Sequence, residues 1–168
     1  KNLKKGIPEL ALLIVPRHPE RAQQITRLAK ERHLTSVQRS LKEPYPPQTD
    51  IYIADTIGEL KLFYSSADVA FVGGSMTPIG GHNILEPIAI GLPVLFGPYM
   101  GNFKEIAHNV LIAQAAVQCN SSNELCEIIL ELYNSTEARQ NIIAQGAQFL
   151  KANQGALGRI YNELKIHI

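Results

Sequence analysis

Two cysteines are all that this 168-residue chain carries, and the separation of Cys119 from Cys126 matches neither a metal-ligand spacing nor a disulfide framework; a reducing compartment fits that usage. The five histidines are scattered, which speaks against a metal site. A net charge of +1 gives no bulk field for nucleic acid or a membrane surface, so neither is expected as a direct partner of this stretch. The small basic cluster Lys1 to Lys5 reads as a solvated end and not as a targeting signal. No apolar run approaches the roughly 20 residues needed to span a bilayer, and no secretory signal precedes the first strand, so the segment reads as soluble. There is no tandem repeat. Gly-x-Gly-x-x-Gly and Gly-x-x-x-x-Gly-Lys-Ser/Thr are both missing, which excludes the usual loops for a nicotinamide dinucleotide or a hydrolysed nucleoside triphosphate, and no cofactor is expected.

What is present is an ordinary globular balance, 45% apolar and 18% charged, over a length that suits one domain with a sizeable core. The chain is organised around Val69 to Pro98. Val69 to Val72 is a short apolar run that stops at Gly73-Gly74, as a buried strand of a parallel sheet would. The pairs Gly73-Gly74 and Gly80-Gly81 bracket a loop without side chains at four positions, where backbone N–H groups can approach a ligand closely. A helix is expected from His82 or Asn83 to Gly91, with Pro87 in or just after its first turn. A helix start aimed out of such a loop is an anion site, and Glu86, one turn in, can accept hydrogen bonds from sugar hydroxyls. Asn83 and Glu86 also have the spacing of a capping box, in which the two side chains satisfy orphan backbone donors and need no ligand. Capping has no use for four glycines, and they favour the ligand.

Upstream, Leu10 to Val15 reads as the first strand of a sheet covered on both faces, ending at Pro16. Pro16-Arg17-His18-Pro19-Glu20-Arg21 follows at the strand's carboxyl end, where open α/β sheets place ligands. Arg17 offers a fork of donors for phosphate, carboxylate or a base edge, and His18 can donate to the same group, although such a pair is often merely solvated. Pro19 starts a helix to about His33 with Ile25 and Leu28 inward. Leu34 to Arg39 is a short second strand, the proline-rich stretch Lys42 to Thr49 a loop, and Asp50 to Ala54 a third strand. Asp55-Thr56-Ile57-Gly58-Glu59-Leu60 turns that strand into a helix through Ser65, capped by Asp55 or Thr56 with Glu59 as the box partner. Three polar strand ends on one sheet edge point to a shared pocket. Downstream come a helix from Asn102 to Ile112, a strand from Ala115 to Gln118, a Ser121-capped helix through Tyr133, a helix from Thr136 to Lys151 and a last one from Gln154 to about Ile166. The alternation predicts an α/β fold, a doubly wound, Rossmann-like parallel sheet flanked by helices.

Several motifs occur together in one order: Pro16-Arg17-His18-Pro19-Glu20-Arg21, Asp55-Thr56-Ile57-Gly58-Glu59-Leu60, Phe71-Val72-Gly73-Gly74-Ser75, Gly80-Gly81-His82-Asn83-Ile84-Leu85-Glu86-Pro87, Pro93-Val94-Leu95-Phe96-Gly97-Pro98, Asn102-Phe103 and Gln154-Gly155-Ala156-Leu157. Over nearly the whole chain they resemble the C-terminal, nucleotide-sugar-binding half of a GT-B glycosyltransferase, and more narrowly the bacterial 3-deoxy-D-manno-octulosonic acid (Kdo) transferases. The resemblance implies a single donor domain over residues 1–168, with CMP-Kdo as donor and a lipid A precursor (lipid IVA) as acceptor in lipopolysaccharide core biosynthesis. It implies no metal, and a full-length protein associated with the cytoplasmic face of the inner membrane. The family's N-terminal half, which carries the catalytic carboxylate and the acceptor site, is not in this sequence, so no catalytic residue is expected here. By the same resemblance Pro16, Arg17 and His18 lie against the nucleotide, and the turn Ile57, Gly58, Glu59 lies near the cytosine. Gly73, Gly74, Ser75 and Gly81 line the donor loop, while Asn83, Ile84, Leu85 and Glu86 hold phosphate through the helix start and ribose through Glu86. Ile57 stands where the family often has Met, Ile84 where it often has Pro, and Tyr99 where a His is common. Two rivals share parts of the pattern. A UDP-sugar transferase or a UDP-N-acetylglucosamine epimerase of the GT-B type would keep the glycine loop and Glu86. A flavodoxin-like regulatory domain would lack a nucleotide site, and it needs clustered acidic residues near a first strand that offers only Glu9.

Overall fold

Short apolar runs punctuated by polar turns become parallel strands of two or three residues that alternate with helices. The computed structural model of the chain describes residues 2–42 and 44–155, and it divides into two compact units, Lys1–Ala67 and Asp68 onward. The last helix, expected from Gln154 to about Ile166, lies outside the described residues beyond position 155, as do Ala156 and Leu157 of its motif.

The first unit runs α1 (Asn2–Gly6), β1 (Leu12–Ile14), α2 (Ala22–Glu31), β2 (Ser36–Gln38), β3 (Ile51–Ile53) and α3 (Leu60–Ser65). Its sheet has the order β1-β3-β2, all parallel, and both Ile14 and Gln38 stand in register with Ile53. The chain therefore leaves all three strands at one carboxyl edge. Ala22, Ala29, Ile51 and Ile53 form the core, with Ile14, Ile25 and Leu34 packed on it. Leu28, expected inward, is exposed, because the inward stripe of α2 runs through Ala22, Ile25 and Ala29 at helical spacing. Leu12 is 51% exposed, so β1 is not covered on both faces as its apolar run predicts. The basic end is not simply solvated either: α1 brings Lys4 onto Asp50, whose carboxylate also takes the Thr35 N–H at 2.7 Å.

The second unit runs β4 (Ala70–Val72), α4 (Leu85–Ile90), β5 (Val94–Phe96), α5 (Lys104–Ile112), β6 (Val117–Gln118), α6 (Ser122–Asn134) and α7 (Thr136–Ala152). Its sheet has the order β4-β5-β6, again parallel. β5 is buried at all three positions, as a central strand covered on both faces must be. Ile84, Ile88, Val94, Phe96 and Val110 belong to one apolar core. Gly91 ends α4 in the left-handed region at φ 89°, the conformation for which a glycine is favoured there. Ser121 and Ser135 cap α6 and α7 through the N–H groups of Glu124 and Ala138, at 3.1 and 3.0 Å. Cys119 and Cys126 are both free thiols, and burial pushes the Cys119 thiol up. Among the described residues, no helix is long and apolar enough to cross a membrane.

Candidate functional site

In the first unit the parallel register places three loops at the carboxyl edge of one sheet. Pro16 and Arg17 leave β1, Arg39–Leu41 form a 3-10 turn after β2, and Asp55 to Glu59 leave β3, where the Ala54 N–H donates to the Ile14 carbonyl at 2.8 Å. Crevices outside such strand ends are where open α/β sheets bind ligands. Arg17 is exposed, and among the described residues its guanidinium has no ion-pair partner. His18 is exposed too and stands 3.6 Å from the Glu20 carboxylate. Pro19–Arg21 form a 3-10 turn before α2 begins at Ala22, with proline at the favoured first position.

The Asp55–Glu59 segment does not cap a helix in the expected way. α3 starts only at Leu60, its N-terminal boundary residue is Glu59, and no side chain caps it. Asp55 instead accepts from the Ser40 N–H at 2.9 Å and from the Ser40 hydroxyl at 2.6 Å. Glu59 takes two donors of Arg39, Nη2 at 2.8 Å and Nε at 3.3 Å, together with the Thr56 hydroxyl. The Arg39 hydrogen bond, then that of Thr56, holds the Glu59 carboxyl below its ordinary range. Arg39 is in turn raised, first by its bond to Glu59 and then by Tyr52. Between these anchored ends Ile57 is 87% exposed, and Gly58 sits at φ +89° with open space where a Cβ would point. The turn presents its backbone outward.

In the second unit the glycines are explained largely by packing. A Cβ on Gly80 would lie 2.7 Å from the Asn102 amide, and one on Gly81 would lie 2.3 Å from the Met100 sulfur; both glycines also have positive φ. The Asn102 N–H donates to the Gly80 carbonyl at 3.0 Å, and the Gly81 N–H donates to the Gly74 carbonyl at 3.0 Å. This pair lets the loop close on the Tyr99–Asn102 segment, which accounts for both glycines without a ligand. Gly73 is exposed and Gly74 partly so, at φ +71°, with His82 lying along both. Ser75 is fully buried, and its hydroxyl is spent internally: it donates to the Val72 carbonyl at 2.5 Å and accepts from the Gly97 N–H at 2.8 Å.

α4 starts at Leu85, two residues later than the spacing of Asn83 predicts, because Asn83 Oδ1 accepts from the Leu85 N–H at 2.9 Å and turns the chain before the helix. The Asn83 amide then donates to Glu86 Oε1 at 3.3 Å. Asn83 and Glu86 are thus neighbours, as the capping spacing requires, without forming the full box. Ile84 and Leu85 are buried in the core. The first N–H groups of a helix have no partner within it; Pro87 has none to give and that of Leu85 is taken, which leaves those of Glu86 and of Ile84, itself a fully buried residue. Helix α4 is six residues long, so its contribution to an anion comes from these N–H groups and not from a long macrodipole. The candidate residues therefore fall into two sets, Pro16 to His18 with Ile57 to Glu59 in the first unit, and Gly73 to Glu86 in the second. Arg39 and Ser40 were not legible as site residues, since their partners lie 20 and 15 positions away in sequence and no local period marks them.

The glycosyl transferases group 1 family model matches residues 1–149. The chain is 40% identical, over 96% of its own length and 38% of the relative, to the 3-deoxy-D-manno-octulosonic acid transferase of Haemophilus influenzae. It is 33% identical over 94% of its length, and 37% of the relative, to that of Bordetella pertussis. The chain thus spans well under half the length of these relatives. The crystal structure of the C-terminal CMP-Kdo binding domain of WaaA from Acinetobacter baumannii superposes with a TM-score of 0.82 at 31% identity, covering 88% of this chain and 81% of that one.

Proposed function

Since the chain belongs to the glycosyl transferases group 1 family, we propose that it is the donor-binding part of a Kdo transferase, holding CMP-Kdo while Kdo passes to a sugar hydroxyl. The observation that carries this reading is the exposed Arg17, unpaired among the described residues, at the same sheet edge as the outward-facing Ile57-Gly58-Glu59 backbone. The likeness to a solved CMP-Kdo binding domain supports it. In this reading Pro16, Arg17 and the Ile57–Glu59 turn of the first unit approach the nucleotide. In the second unit, taken by itself, the Glu86 carboxylate, already oriented by Asn83, is an acceptor for sugar hydroxyls. Ser75 supports the loop from inside and does not touch the donor through its hydroxyl.

The reaction breaks the bond between the Kdo anomeric carbon and the CMP phosphate oxygen, and forms a glycosidic bond to the acceptor oxygen. Negative charge grows on the departing CMP phosphate, and a guanidinium already in place stabilises it more in the transition state than in the ground state. Arg17 has that role. The acceptor proton goes to a general base outside this stretch. A lipid A precursor at the cytoplasmic face of the inner membrane is the acceptor in this reading, supported by the resemblance to Kdo transferases.

An amide-resolved NMR titration with CMP, with UMP and AMP alongside, tests the reading. Shifts clustered at Arg17, Gly58 and Asn83 to Glu86, strongest for CMP, are expected. Preference for UMP at the same amides would transfer the domain to a UDP-sugar enzyme. No response at those amides with any of the three would remove the nucleotide site and favour a regulatory domain.

A further inference from the structure

The first unit carries a cleft of about 530 Å³ lined by Arg39, Ser40, Lys42, Thr56 and Glu59. Two loops build it, the 3-10 turn Arg39–Leu41 after β2 and the Asp55–Glu59 segment after β3. They are fastened to each other at both ends. Arg39 grips Glu59 with two donors, and the Ser40 N–H and hydroxyl grip Asp55. All four bonds end on a carboxylate, which makes them stronger than neutral ones. The middle of the fastened turn has no such support: Ile57 is 87% exposed and nothing lies within 4 Å of a Cβ on Gly58.

We propose that Arg39, with Ser40 beside it, is a positioning residue for base selection, holding the Ile57-Gly58-Glu59 turn at the angle at which its backbone can tell cytosine from uracil. The inference rests on the reading that this turn meets the base. Its logic comes from how Glu59 is used. With its carboxylate occupied by Arg39 and Thr56, Glu59 has little capacity left for a ligand, so base contacts at this turn fall to backbone N–H and C=O groups. Cytosine presents an acceptor at its ring position 3 and an amino donor at position 4, while uracil presents a donor and then an acceptor. Discrimination depends on which backbone group faces which position, and therefore on the tilt of the turn. Supporting residues of this kind set a site's geometry without touching the ligand. Ribose and phosphate are common to CMP and UMP, so a tilted turn loses selectivity before it loses the shared affinity.

The test compares CMP, UMP and ribose 5-phosphate binding to the wild-type chain, Arg39→Ala and Arg39→Lys by amide-resolved titration. In Arg39→Ala the CMP-to-UMP affinity ratio is expected to fall about fivefold, the worth of roughly one hydrogen bond, with ribose 5-phosphate binding unchanged. Arg39→Lys, which keeps one charged donor, should recover part of the ratio. An unchanged ratio, or an equal weakening of all three ligands, would overturn the proposal and mark Arg39 as merely structural. If Arg39→Ala does not fold, Ser40→Ala removes one of the Asp55 bonds and must lower the same ratio by a smaller factor. Absence of a CMP preference in the wild-type chain would instead sink the CMP-Kdo donor reading itself, and that result is in hand before any variant is made.

Discussion

Asp50 pairs with Lys4, accepts from the Thr35 N–H, and has its carboxyl lowered from the usual 3.8 to about 2, first by the Lys4 bond and then by that of Thr35. A folded-state value below the unfolded one means the ionised form is favoured in the fold, so its stabilisation is complete above about pH 4 and is lost as pH falls toward 2. Urea midpoints of the wild type and Asp50→Asn, measured from pH 7 down to 2, should differ at neutral pH and converge at the acid end. A gap that stayed constant with pH would show that the carboxylate's charge is not what stabilises this corner. Ser75 gives a second residue-scale expectation. Ser75→Ala leaves the buried Gly97 N–H without its acceptor, at a cost of about 1–3 kcal/mol by denaturant titration. Neither role was legible beforehand. Lys4 read as part of a solvated end and Ser75 as a ligand contact, because the partners that decide otherwise lie 46 and 22 positions away and are brought near only by the fold.

The elements themselves were far more legible, since apolar runs, prolines and caps act locally. β1, β2, β3, β4 and β6 fall inside the runs that predict them, and Ser121 caps α6 as its position before the periodic Leu125, Ile128, Ile129 and Leu132 requires. The start of α4 was harder to place, because Asn83 can cap a helix or turn the chain before one, and sequence spacing is the same for both. Glycines were ambiguous in a related way: Gly80 and Gly81 signal close approach, but not whether a ligand or the Tyr99–Asn102 segment does the approaching. Two glycines at element ends separate the causes. Gly91 has positive φ, and a Cβ there would meet Ile143 Cγ2 at an ordinary contact distance of 3.9 Å, so Gly91→Ala should cost about 1–2 kcal/mol from backbone strain alone. Gly97 lies after β5, where a Cβ would sit 2.3 Å from the Ser75 carbonyl oxygen, a backbone atom that no rotamer can move. Gly97→Ala must therefore cost more than Gly91→Ala in the same urea titration; an equal or smaller loss would mean that the strand ends of β4 and β5 can separate freely.

At the scale of the molecule, the two units each own a three-stranded parallel sheet and a core, and the residues with ligand chemistry leave those sheets at carboxyl ends. In the proposed reading the strand ends of the first unit hold a donor and draw charge onto its leaving phosphate, which is half of a glycosyl transfer. The other half is removal of a proton from the acceptor hydroxyl, and it needs a base with room for an acceptor beside it. Among the described residues Glu59 is engaged by Arg39, Asp55 by Ser40 and Glu86 by Asn83, and Glu20 stands 3.6 Å from His18. The chain also spans 38% of the Haemophilus influenzae relative and 37% of that from Bordetella pertussis, so most of each relative lies outside the matched stretch. The 168-residue chain given CMP-Kdo and a lipid A precursor is therefore expected to bind the nucleotide in the titration and to transfer no Kdo, as read by mass spectrometry of the acceptor. Transfer by this chain alone would require one of those engaged carboxylates to be released as the base, and Glu86→Gln would then be the first variant to separate donor binding from turnover.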